Sequence, residues 1–174
     1  KTNIKNHTAD GIYASNATVT LIDSKILGSN DNGIEGSNSD NTKKTSIVDG
    51  CTDNAVYLSS YSDIDISRSV IKNSGEHGIY LSQNSGTSIT NNWIHYNGKD
   101  QYSARAAGIY FYNQVGIPLV RNNTIYDNYS YGIESSENGA DPNVLNCIIY
   151  GNDSNDLYRE NGAFNTVNYC NLQN

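Results

Sequence analysis

The sequence predicts an all-β solenoid of about seven turns, each of 22–30 residues with three short strands. Three observations predict it. A Gly–Ile pair, or a close variant, returns along the whole chain. Two further aliphatic columns follow it at steady offsets. Between them lie corner residues, with 27 Asn and 15 Gly among 174 residues. The hydrophobic fraction is only 36% and Met is absent, so helix formers are scarce.

The first column starts at Gly11–Ile12, Gly33–Ile34, Ala55–Val56, Gly78–Ile79, Gly108–Ile109, Gly132–Ile133 and, more loosely, Asp156–Leu157. The steps are 22, 22, 23, 30, 24 and 24 residues. The second column is Leu21, Ile66, Ile89, Val120, Val144 and Val167. The third is Ile26, Ile47, Ile71, Ile94, Ile125, Ile149 and Leu172, with Ile4 ahead of it. Each aliphatic residue is flanked by polar ones, the period-2 mark of a half-buried strand. Stacked turns would then pair like strands in parallel and put the columns inside a prism. At ~4.8 Å per strand the rod is roughly 35 Å long.

Asn suits the corners because it tolerates left-handed backbone and bonds to it locally. Asn92 and Asn123 share one corner position, and Asn97, Asn128 and Asn152 share another. Ladders of stacked Asn side chains are expected there. Parallel crossovers are right-handed by strong default, and turns this long favour a right-handed parallel β-helix.

Charge narrows the partners. A net charge of −7 and a pI near 4.7 exclude a nucleic-acid surface, which needs clustered Lys and Arg. No apolar run approaches the ~20 residues of a membrane-spanning helix, so membrane insertion is not expected. The chain opens in mid-turn at Ile4 and closes just after Leu172, with no capping helix in the sequence. Exposed strand edges need cover. The expectation is a single β-helix segment over 1–174, part of a longer chain, with neighbouring turns or another chain over its ends.

The segments Gly78–Ile–Tyr–Leu–Ser–Gln–Asn–Ser, Ile89–Thr–Asn–Asn–Trp–Ile–His–Tyr–Asn and Pro142–Asn–Val–Leu–Asn–Cys–Ile–Ile–Tyr–Gly–Asn resemble the repeats of the pectate-lyase-like superfamily of right-handed parallel β-helices. The resemblance covers the entire chain. It implies that the face of the first strand and its flanking loops form a polysaccharide groove. It also implies a secreted or cell-surface location. Such repeats serve polysaccharide lyases, hydrolases and uronate epimerases, and also tailspikes, adhesins and stalks, so fold alone does not license a function.

The outward position after the Gly–Ile pair reads Tyr13, Glu35, Tyr57, Tyr80, Tyr110, Glu134 and Tyr158. Such a stripe either stacks on sugar rings or packs only on itself. The fourth turn is the longest, with an insertion at 97–107 holding Lys99, Asp100, Tyr102 and Arg105. His77 enters that turn and His95 precedes the insertion. The expected carbohydrate contacts are Tyr57, Tyr80, Tyr110, Tyr112, Tyr102, Arg105 and Glu134. Arg beside tyrosines suits an acidic polymer, because guanidinium binds carboxylate with two hydrogen bonds.

No catalytic set is assigned. Glu35 and Glu134 lie four turns apart, about 19 Å, too far for a glycosidase pair. If catalysis occurs, His77, His95, Lys99 and Arg105 are the residues to test. No His pair has metal-ligand spacing, and no metal is expected. Ca²⁺ is the one ion worth weighing, since Asp63 and Asp65 share a strand face. Cys147 and Cys170 are equivalent in adjacent turns. They are either bridged or small buried residues in corner positions.

The reading is a carbohydrate-associated β-helix module binding polysaccharide along a tyrosine-lined face. The alternatives are a fragment of a polysaccharide lyase or uronate epimerase, and a non-catalytic stalk or adhesin.

Overall fold

The computed structural model describes residues 1–84, 86–99, 105–137, 141–161 and 164–173. Every element among them is a strand, and the strands form three parallel sheets. The first sheet has seven strands, from Ile12–Ser15 to Asn155–Glu160. The second also has seven, from Val19–Ile22 to Thr166–Asn168. The third has eight, from Asn3–Lys5 to Asn171–Leu172. Each strand pairs with its equivalent one turn away, so the molecule is a three-sided parallel solenoid. Tyr102, with Asp100 and the rest of residues 100–104 of the insertion, lies outside the described residues.

The inward columns build one continuous core. Ile34, Val56, Ile79, Ile109 and Ile133 stack on the first side, and Ile66, Ile89, Val120 and Val144 on the second. Ile71, Ile94, Ile125 and Ile149 stack on the third. Removing an Ile side chain fully from water contributes roughly 1.5–3 kcal/mol.

The third column departs from expectation in the second turn. Val48, not Ile47, pairs with Ile26 and Ile71 and is fully buried. Ile47 is half-buried on the outside. The corner sets the phase. Ser24, Ser46, Ser69 and Asn92 stack as one corner column, with the Ser46 amide donating to Ser69 Oγ and the Ser69 amide to Asn92 Oδ1. The ladder residue stands two places after each corner residue, and counting from Ser46 gives Val48. The same register puts Lys43 between Leu21 and Ile66, inside the core.

Corners turn through left-handed backbone. Asp23, Thr45, Arg68, Asn91, Asn122, Asn146 and Tyr169 all have φ between 49° and 59° at equivalent positions. Asn is among the residues that enter this region readily. The Asn ladder forms as expected. The Asn97 amide and side-chain Nδ2 donate to Asn128 Oδ1 at 3.2 and 3.0 Å. The Asn128 pair donates likewise to Asn152 Oδ1 at 3.1 and 3.0 Å. The Gly of the Gly–Ile pair has a packing cause. A Cβ on Gly78 would stand 2.6 Å from the Gly108 carbonyl oxygen of the next turn. Cys147 and Cys170 are thiols, not bridged, and each Sγ contacts backbone carbonyls.

Candidate functional site

The outward face of the first sheet carries the predicted stripe in register. Tyr57, Tyr80 and Tyr110 are ladder neighbours, and all three are half-buried. Their ring centroids lie 5.1 and 4.8 Å apart, with planes tilted by 58° and 44°. Tyr112 joins at 6.3 Å from Tyr110. The strand spacing fixes these distances, because residues in register on adjacent parallel strands cannot separate. Burial first, then Tyr110, pushes the Tyr80 hydroxyl up to about 12, so it remains a hydrogen-bond donor at neutral pH.

His77 belongs to this face but not as a free base. It is 7% exposed and its ring stacks on Tyr110 at 4.7 Å. Its Nδ1 accepts the Ala107 amide at 3.0 Å, and its own amide donates to Asn54 Oδ1 at 3.1 Å. Burial pushes it down to about 3. It is a neutral corner residue that backs the tyrosines.

Glu134 sits between Tyr110 and Tyr158 in the same ladder. Sequence reading places it outward and open to ligand; the structure leaves it no exposed surface. Neither carboxyl oxygen has a hydrogen-bond partner among the described residues. Burial pushes its pKa up to about 7, against the opposing pull of Arg105 and with a further push from Glu160. At neutral pH a large share of it is protonated.

Arg105 forms a two-pronged ion pair with Glu160, with Nη2 donating to Oε1 at 2.7 Å and Nη1 to Oε2. Both side chains are partly exposed. This fork ties the end of the insertion to the strand Asn155–Glu160 and stands beside Glu134. Glu160 was not singled out by the sequence. Its place two residues after Tyr158, on the same strand, was the available signal.

The structure does not gather the four residues set aside for chemistry. His77 and Arg105 border the tyrosine face. His95 lies on the third sheet, stacked on Tyr126 at 4.7 Å. Lys99 is exposed and donates to Asn73 Oδ1 at 2.7 Å. Among the described residues no group of three or more His, Cys, Asp or Glu could hold a metal ion. Asp63 Oδ1 instead accepts the Gly86 amide. Among the described residues no helix is long and apolar enough to cross a membrane.

The family described as a right-handed β-helix region matches residues 1–140 and 44–174, which together span the chain. Among solved structures, the A-module of the mannuronan C-5 epimerase AlgE6 from Azotobacter vinelandii is similar in fold, with a TM-score of 0.53 at 14% identity. The match covers 94% of this chain and 56% of that one, so this chain spans a little over half of the module. A sequence search of curated proteins gave no match.

Proposed function

The chain belongs to the right-handed β-helix family, and we propose that it is a carbohydrate-associated module that holds a polysaccharide along the Tyr57–Tyr80–Tyr110 face. One observation carries the reading: three half-buried tyrosines at 4.8–5.1 Å form a continuous aromatic strip along the rod. A polymer lying along the axis meets a ring at each of these three turns. Tyrosine rings offer apolar faces to sugar C–H groups and hydroxyls to sugar oxygens. The fold likeness to a module that acts on mannuronan supports a carbohydrate partner. Such a role accords with a secreted or cell-surface protein.

A second reading, proton transfer at a uronate, is favoured by Glu134. A carboxyl near neutral pKa is suited to general acid–base work. Its complete burial opposes direct contact with substrate.

The test is co-elution of the protein with fluorescently labelled neutral and uronate-bearing polysaccharides. Co-elution that Tyr80→Ala plus Tyr110→Ala abolishes, with the fold intact by circular dichroism, is the expected result. Independent elution with every polymer refutes the reading. Label moving to low mass would replace it with a depolymerase. Exchange of a sugar C–H proton for deuterium in D₂O, lost in Glu134→Gln, would establish the second reading.

A further inference from the structure

The third sheet carries a second surface feature that the tyrosine face does not explain. A trough of about 480 Å³ runs along its outside, lined on five successive strands by residues from Lys25 to Tyr126. Five strands at ~4.8 Å give it a length of roughly 19 Å, enough for several linked sugar rings.

Its walls are of two kinds. One column presents the apolar side chains of Ile47, Val70 and Trp93, and Trp93 is 60% exposed. The other presents Asp49, Lys72, His95 and Tyr126. His95 lines the trough but is only 8% exposed, and its Nδ1 is buried with no hydrogen-bond partner among the described residues. An exposed indole and the Lys25 and Lys72 ammonium groups along one trough point to a ligand with both apolar C–H faces and charged groups.

Charge selects among such ligands. The whole chain carries −7, but the outward residues of the first four strands of this sheet include Lys5, Lys25 and Lys72 against Asp49 alone. Lys72 pairs with Asp49 at 3.2 Å, which leaves Lys25 to set the sign of the trough. An acidic protein thus shows a basic strip beside its one exposed Trp.

We propose that this trough is a binding site for a uronate-bearing oligosaccharide, with a sugar ring on Trp93 and carboxylates met by Lys25 and Lys72. Both ammonium groups act as point charges on the sugar carboxylates. The site is on a different sheet from the tyrosine strip, and it stands or falls without it.

The chain supplies its own reporter, because Trp93 is its single tryptophan. Titration with hexagalacturonate is expected to change Trp93 emission saturably. Lys25→Gln plus Lys72→Gln should weaken the apparent affinity about tenfold. Salt at about 0.5 M should weaken it further, because exposed charges are screened. Cellohexaose, neutral and similar in length, should give little response. Tyr80→Ala plus Tyr110→Ala should leave the titration unchanged. No saturable response, an equal response to cellohexaose, or an undiminished response in the lysine variant overturns the proposal. So does loss of the response in the tyrosine variant, which would put the sugar on the first sheet. A change that follows protein concentration without sugar, with a doubled mass by sedimentation, also overturns it and makes a second copy the occupant.

Discussion

Lys43 stands in the core where every neighbouring turn places an aliphatic residue. It lies between Leu21 and Ile66 in the second sheet, is 1% exposed, and its Nζ has no hydrogen-bond partner among the described residues. Burial pulls its pKa from 10.5 down to about 7, and the nearby Cys51 opposes this only slightly. At ~1.4 kcal/mol for each pH unit, holding the charged form inside costs ~5 kcal/mol. Between pH 7 and 10.5 the unfolded chain carries a proton here that the folded chain has shed. Stability therefore rises with pH across that window, and the whole cost is felt below pH 7. Lys43→Met keeps an unbranched chain and removes the charge. At pH 6 the variant should be more stable by a few kcal/mol. That is a rise of ~10 °C in Tm, at about 2–4 °C per kcal/mol for a chain of this size. Thermal unfolding by circular dichroism at pH 6, 8 and 9.5 should show the gap shrinking as pH rises. A Met variant that melts lower at pH 6, or a gap constant with pH, would sink the argument and mean that Nζ is solvated or paired.

Glu134 has the opposite sign. Its folded pKa is raised above 4.5 to about 7, so the folded chain holds a proton there that the unfolded chain loses. Its contribution is full below pH 4.5 and falls away as pH climbs to 7. Wild-type Tm should decline over that range relative to Glu134→Gln, and parallel curves would count against a buried carboxyl. Asn128→Ala removes the acceptor of both Asn97 donors and the donor to Asn152, leaving buried polar groups unpaired. A loss of about 2–4 kcal/mol is expected, read as faster amide exchange at Asn97 and in the flanking turns first, since solenoid stability is local. Exchange unchanged at Asn97 would show the ladder contributes little. Cys147 and Cys170 should both react with a thiol reagent after unfolding without reductant. A mass gain of two hydrogens on reduction would instead reveal a bridge.

The inward half of this structure was legible in the sequence because each inward position must satisfy the same geometry in every turn. An Ile column or an Asn ladder repeats for that reason, and repetition can be read. Where two aliphatic residues adjoin, as at Ile47–Val48, hydrophobicity alone cannot choose between them. Only the phase of the corner residue Ser46 decides. Lys43 was hidden by the same habit: its chemistry contradicts its column, although its distance from Ser46 matches that of Leu21 from Ser24 and Ile66 from Ser69. Outward residues follow no such rule, since solvent accepts nearly any side chain. The tyrosine strip was visible because five members of its column are the same residue. The Arg105–Glu160 fork joins residues 55 apart in sequence and leaves no periodic trace. Burial of Glu134 was equally hidden, because its column is outward and alternation predicts exposure. The trough beside Trp93 mixes Lys, Asp, His and Trp down its walls, a pattern with no period. The tyrosine strip thus shows in the period itself, the fork, Glu134 and the trough only where the period fails, and a register fixed from the inside is what makes those failures countable.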